Sequence, residues 1–226
     1  AQRLERRLSG KLDDGDELIL QKSVLTIVTQ VDAMKNLVNE FREYARLPLA
    51  QLAPVHLNAL VGDVCQLYAD EQASSTLGAV GVELLLDPTC PAIQGDSGQL
   101  RQVVHNLIQN AQDACAESQA SVVQVSTHWL QATGQVRLSV TDNGPGFAEN
   151  VLSRAIEPYV TTKVSGTGLG LAVVKKIADE HKAKLDISNR MVEGVIVGAQ
   201  VSLTFGTLTP IVTTENEQKL PTGSAA

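Results

Sequence analysis

Gly166-Thr167-Gly168-Leu169-Gly170-Leu171 leads straight into Ala172-Val173-Val174-Lys175-Lys176-Ile177, a glycine-rich turn opening an apolar helix. Backbone amides at such a helix start, reinforced by the helix dipole, make an anion site suited to phosphates. Two other phosphate-binding patterns fail here. A dinucleotide fingerprint needs a strand immediately before it, G-x-G-x-x-G spacing and an acidic residue about 20 positions later. Here Glu157 to Ser165 reads as loop, and the spacing is G-x-G-x-G. A Walker loop, G-x-x-x-x-G-K-[ST], occurs nowhere in the chain.

Upstream lie two further candidates. Asp142-Asn143-Gly144-Pro145-Gly146-Phe147 follows directly on a predicted strand. Its carboxylate could accept from an exocyclic amine such as that of adenine, while its glycines let the backbone approach a ligand. The same residues are equally turn vocabulary. On the predicted helix 96–117, Leu100, Val104, Leu107, Ala111 and Ala114 form an apolar stripe. Asn106, Asn110 and Asp113 line up beside it at i, i+4 and i+7. Asparagine is a mediocre helix former, and its amide oxygen is a hard neutral ligand suited to Mg²⁺. A merely solvated polar face fits this pattern as well.

The rest of the chain frames these motifs. With 226 residues, 43% of them hydrophobic and 19% charged, it can bury one substantial core. A formal charge of −7 argues against direct nucleic-acid binding. Cys65, Cys90 and Cys115 have no metal or disulfide spacing and fit a reducing compartment, hence a cytoplasmic domain. No apolar run is long enough to span a membrane, so no membrane contact is expected in these residues. Ala1 to Leu12 reads as mid-helix, which points to a longer parent chain. Asp13 to Asp16 reads as a turn. Leu20, Val24, Ile27, Val31, Met34, Val38, Phe41 and Ala45 then sustain an a/d seam. Leu25, Val28, Leu37 and Tyr44 widen it, favouring a four-helix bundle completed by homodimerisation, although a hairpin packed on its own domain is the alternative. The expected organisation is a partial helical hairpin at 1–47, a linker at 48–55, an α/β domain at 56–205 and a disordered tail at 206–226. Asp96 with Gln99 predicts a capping box.

Taken in order, N-L-x-x-N-A (106–111), D-x-G-x-G (142–146), P-Y-x-T-T-K (158–163) and G-T-G-L-G-L (166–171) resemble the Bergerat ATP-binding fold. That fold serves histidine kinases, gyrases, heat-shock chaperones and mismatch-repair proteins. The resemblance covers roughly Val55 to Phe205 and implies an α+β, two-layer α/β sandwich: a mixed sheet with helices on one face. The preceding helices resemble the end of the dimerisation-and-phosphoacceptor hairpin of sensor histidine kinases. Glu40 to Pro48 is similar to the membrane-anchored nitrogen-regulation (NtrY-like) type.

The resemblance implies ATP and Mg²⁺ as cofactors, with Asn110 on the metal and Asn106 beside the phosphates. It places Asp142 on the adenine amine and uses Gly144 and Gly146 to shape that turn. Lys163 is a candidate for the terminal phosphate. The segment Gly166, Thr167, Gly168, Leu169 and Gly170 would hold the phosphate chain, and Phe147 to Ser165 would form a lid. Two positions depart from the family: Ile156 replaces a common Phe, and Asp113 replaces a basic residue near the phosphates. Hydrolysing relatives carry a Glu where Asn106 stands, and an amide is no base for water. The expectation is therefore a kinase, passing phosphate to a histidine and then to the receiver domain of a response regulator. None of His56, His105, His128 and His181 fits the phosphoacceptor, which is expected before Ala1. The alternatives are a non-catalytic nucleotide-binding regulatory module or, further off, an ATPase machine.

Overall fold

The computed structural model describes residues 13–74, 81–115, 122–163 and 166–208. The expectations for Ala1 to Leu12 and for the tail beyond residue 208 lie outside the described residues. Asp13 is not in a turn but is the N-cap of helix α1, Asp14–Arg46: its Oδ1 accepts from the Asp16 amide at 2.8 Å. A carboxylate that satisfies an otherwise orphaned amide starts a helix as readily as it makes a turn. α1 is a single 33-residue helix, and the stripe Ile27, Val31, Met34, Val38 and Phe41 on it is exposed.

Beyond Pro48 the chain cannot continue the helix. β1 (Ala53–Val55) closes the expected linker, pairing antiparallel with β3 (Ile93–Gly95). Both strands are too short to show alternation in sequence. Between them come α2 (Leu57–Ser74) and β2 (Gly81–Leu86). After β3 the order is α3 (Ser97–Cys115), β4 (Val122–Leu130), β5 (Gln135–Asp142), the short α4 (Glu149–Leu152), α5 (Gly170–Glu180), β6 (Lys184–Val192) and β7 (Val195–Gly206). The main sheet runs β2-β4-β5-β7-β6, with β2 and β4 parallel and the other neighbours antiparallel. The parallel pair needs a crossover, which α3 supplies. The fold is thus α+β with a mixed sheet, as the resemblance implied.

Strand alternation sorts the two faces. Val123, Val125, Val136, Leu138, Val140, Val201, Leu203 and Phe205 are buried in the core. They share it with Leu57 and Val61 of α2, Val174 and Ile177 of α5, and Leu100, Val103, Val104, Leu107 and Ile108 of α3. Each such side chain contributes about 1.5–3 kcal/mol when fully buried. The opposite face carries Ser126, Ser139, Ser202 and Thr204, with Ser139 Oγ and Ser202 Oγ 3.0 Å apart.

The start of α3 corrects the predicted capping box. Asp96 Oδ1 accepts from the amides of Gly98 and Gln99, at 2.9 and 3.1 Å. Gln99 does not reach back. Its Nε2 donates to the Pro48 carbonyl at 2.8 Å, because His181 Nε2 already accepts from the Asp96 amide at 2.9 Å. His181 Nδ1, 2.8 Å from the Ile177 carbonyl, is the protonated ring nitrogen. Asp96 Oδ2 in turn accepts from the Gln51 amide at 3.0 Å, which ties the linker to α3. That bond, first among the causes, holds the Asp96 carboxyl below its ordinary range, helped by the Gln99 and Gly98 amides against partial burial. Asp96→Ala is expected to cost about 1–2 kcal/mol at neutral pH, by urea denaturation. A lowered carboxylate stabilises fully above its ordinary range and loses that contribution as pH falls through the folded value. The stabilities of parent and variant should therefore converge in acid.

Candidate functional site

Every motif converges on the C-terminal half of α3. Asn110 points its amide at the first residue of α5: a Cβ added to Gly170 would lie 3.3 Å from Asn110 Nδ2 and 3.5 Å from its Oδ1. One turn on, a Cβ on Gly144 would come within 2.9 Å of the Ala114 carbonyl oxygen. Cys115 Sγ donates to Asn143 Oδ1 at 3.4 Å, and Asn143 Oδ1 also accepts from the Val122 amide at 2.9 Å. The last turns of α3 therefore touch both the Asp142–Gly146 turn and the glycine-rich turn. Asn106 lies half-buried one turn before Asn110, on the same face.

Asp142 ends β5 and is 8% exposed. Among the described residues, both hydrogen bonds to its carboxylate fall on Oδ1, from the Gly144 amide at 2.9 Å and the Ala199 amide at 3.1 Å. They orient the group and leave Oδ2 for a ligand donor. The Asp142 carbonyl accepts from Arg190 Nη1 at 2.9 Å. Gly198, at φ +146°, passes so close that a Cβ would sit 1.9 Å from this carbonyl oxygen. Gly146, at φ +73°, backs onto Ile196 and Asn189. Asn189 bonds both the amide and the carbonyl of Phe147, at 2.7 and 2.8 Å, and so pins the far side of the turn.

The expected lid is not uniform loop. It contains α4, and Val164 and Ser165 lie outside the described residues. Its Tyr159–Val160 portion rests on Gly168: the Tyr159 amide donates to the Gly168 carbonyl at 3.0 Å. Gly168 has φ +70°, and a Cβ there would meet Tyr159 Cα at 2.8 Å. Ile156, the departure from the family, is exposed. Lys163 is half-buried and pairs with Asp113 Oδ2 at 2.8 Å, its Nζ also 3.5 Å from the Asn110 carbonyl. Gly166 is backed by Thr161 and Lys163, and Leu169 is buried.

One contact had no local signal. The Thr167 hydroxyl bonds a carboxylate oxygen of Glu40, on α1. Next to it Lys176 Nζ donates to the Tyr44 carbonyl at 2.9 Å and lies 5.2 Å from the Tyr44 ring centroid. The end of α1 thus docks on α5 and its glycine-rich turn.

No cluster of three or more His, Cys, Asp or Glu side chains fit for a metal exists among the described residues. Among those residues the Asn110 side chain forms no hydrogen bond. A free amide oxygen with no further protein ligand suits Mg²⁺, which keeps waters and takes its other ligands from phosphates. Of the histidines, His105 Nδ1 is 2.6 Å from Tyr68 Oη, His181 is committed to Asp96 and Ile177, and His56 and His128 are exposed away from these motifs. An open cavity of about 530 Å³ beside Arg42, Pro48 and Gln102, and another of about 470 Å³ beside Tyr68, His105 and Gln109, are not lined by Asn106, Asn110, Asp142 or Lys163.

Residues 95–207 match the family of Histidine kinase-, DNA gyrase B-, and HSP90-like ATPases. The sensor histidine kinase ZraS of Escherichia coli (strain K12) is 33% identical over 165 residues, covering 73% of this chain and 34% of that protein. A protein of Rickettsia conorii (strain ATCC VR-613 / Malish 7), named as a sensor histidine kinase NtrY-like, is 31% identical over 212 residues, 90% of this chain and 32% of its own. The chain spans about a third of the length of the curated relatives it matches. Among solved structures, full-length ShkA in complex with AMPPNP superposes with a TM-score of 0.65 at 27% identity, covering 85% of this chain and 40% of that one. The nucleotide-free catalytic domain of histidine kinase ThkA gives 0.59 at 26%, covering 70% and 96%.

Gly198→Ala should force the Asp142 carbonyl and β7 apart. The expected cost is about 2 kcal/mol or more of stability in chemical denaturation. A variant as stable as the parent would show that this close approach is not needed.

Proposed function

Because this chain belongs to the Histidine kinase-, DNA gyrase B-, and HSP90-like ATPase family and carries the ATPase domain of a sensor histidine kinase, we propose that it binds MgATP and presents the γ-phosphate to a histidine outside residues 1–226. From there the phosphate passes to the receiver domain of a response regulator. The observation that carries this reading is the meeting of the Asp142 turn and the glycine-rich turn on one end of α3, beside Asn110 and Lys163.

In this reading the free Oδ2 of Asp142 accepts the adenine amine. The Asn110 amide oxygen takes a Mg²⁺, which neutralises phosphate charge when bound. The amides from Thr167 to Gly170 cradle the phosphate chain, and Lys163 supplies positive charge at its end. Asn106 offers no carboxylate to deprotonate water, so hydrolysis is disfavoured and the phosphoryl group waits for an imidazole. The rings of His105 and His181 are engaged, the first with Tyr68 and the second with Asp96 and Ile177, and in this reading the acceptor is a histidine other than the four of this chain. The exposed a/d stripe of α1 supports homodimerisation through a helical bundle. A response regulator is supported by kin: histidine kinase ThkA has been solved in complex with response regulator protein TrrA. The NtrY-like resemblance favours a parent protein anchored in a membrane, with this part on the cytoplasmic side. No described helix here is long and apolar enough to cross one.

Asp142→Asn should weaken ATP binding by about tenfold to a hundredfold, since a hydrogen bond to a charged acceptor contributes about 1.5–3 kcal/mol. Calorimetric titration with and without magnesium measures it, and equal affinities for ATP and GTP would sink the adenine assignment. Asn110→Ala should abolish the magnesium dependence with little change in thermal stability. With γ-labelled ATP, the chain should release negligible inorganic phosphate and should label a separate protein carrying the histidine helix. Brisk hydrolysis without acceptor labelling would favour the ATPase machines.

A further inference from the structure

Lys163 is not a loose surface cation. Its ammonium is held by Asp113 Oδ2 at 2.8 Å and lies 3.5 Å from the Asn110 carbonyl. Asp113 is itself braced by Gln109, whose Nε2 donates to Asp113 Oδ1 at 2.8 Å. Behind the lysine, Gly166 leaves room that a side chain would not: an added Cβ would fall 2.9 Å from Lys163 Cβ. Side-chain exposures of 34% for Lys163 and 42% for Asp113 make the pair a poor stabiliser of the fold. A partly exposed ion pair of little structural worth, beside the proposed metal ligand, calls for a functional account.

We propose that Asp113 is a positioning residue that holds the Lys163 ammonium ready for a terminal phosphate and so sets the preference for a nucleoside triphosphate over a diphosphate. The inference rests on the nucleotide reading above. A lysine has a flexible four-carbon stem, and ordering it on binding costs rotamer entropy. Asp113, fixed by Gln109, meets that cost before the ligand arrives, which is the gain of pre-organisation. An ammonium tethered at one place engages a γ-phosphate that reaches it and does not follow a shorter chain to its β-phosphate. Released, the lysine would reach ATP and ADP alike.

A purely repulsive role for Asp113 makes the opposite prediction. A carboxylate near the phosphates disfavours ATP more than ADP, because ATP carries more charge. Removing it would then raise the ratio of ATP to ADP affinity, whereas loss of positioning lowers that ratio.

The test is calorimetric titration of the whole chain with a non-hydrolysable ATP analogue and with ADP, each with magnesium. The parent is compared with Asp113→Asn, Asp113→Glu, Lys163→Met and the Asp113→Asn/Lys163→Met double variant, all checked by thermal unfolding. Asp113→Asn should lower the affinity ratio by roughly two- to fivefold, the scale of one partly exposed charge pair. Asp113→Glu should restore most of the preference, and the double variant should match Lys163→Met alone. An unchanged or raised ratio in Asp113→Asn, or an effect that persists undiminished without Lys163, overturns the inference while leaving the nucleotide reading intact. A parent chain that binds neither nucleotide overturns the nucleotide reading, and the inference with it.

Discussion

Helix α3 must be dry on one side and polar on the other, and the rest of the domain is arranged around that requirement. Leu100, Val103, Val104, Leu107 and Ile108 are buried between α2, α5 and the sheet. At about 1.5–3 kcal/mol each, they fix the helix's rotation about its axis. Once that rotation is set, the period of 3.6 residues leaves Asn106, Asn110 and Asp113 no choice of face. A slip of one residue would bury two asparagines without partners, at a cost larger than most single contacts supply.

The same constraint explains why glycines cluster where they do. β5 and β7 pair up to Thr141 and Gln200, and the β7 backbone then crosses the Asp142 carbonyl at Gly198. The α3 backbone presses on Gly144, and the Tyr159–Val160 backbone presses on Gly168. These close approaches bring distant segments near one helix end without side chains filling the space between them. Lys163, Asp113, Asn110 and Gly170 meet there in a cluster that is largely polar and partly open. Stability is supplied by the core on the other side of the helix, and the cleft is spared that duty.

Much of this was legible in sequence because it is local. The i, i+4, i+7 spacing of Asn106, Asn110 and Asp113, the apolar stripe beside it, and the glycine-rich opening of α5 each depend only on near neighbours. The strands β4, β5 and β7 carry their alternation over eight residues or more, long enough for a period of two to show in the sequence. β1 and β3 span 3 residues each and carry no period at all. Their pairing rests on Val55 and Ile93 meeting across 38 positions of chain, which nothing in either segment announces.

By itself, then, the sequence carried the order of the motifs, the faces of the helices and the alternation of the longer strands, since helical and strand periodicity and turn chemistry act within a few residues. The fold class followed from the family resemblance that those motifs carry. Tertiary structure alone decided who meets whom. It gave Asp96's amide to His181 rather than to Gln99, parked Lys163 on Asp113, and brought Glu40 from α1 onto Thr167. A hydrogen bond or ion pair between residues far apart in sequence depends on how packed elements sit against each other. That arrangement is set by the summed burial of the core and not by the few residues that make the contact.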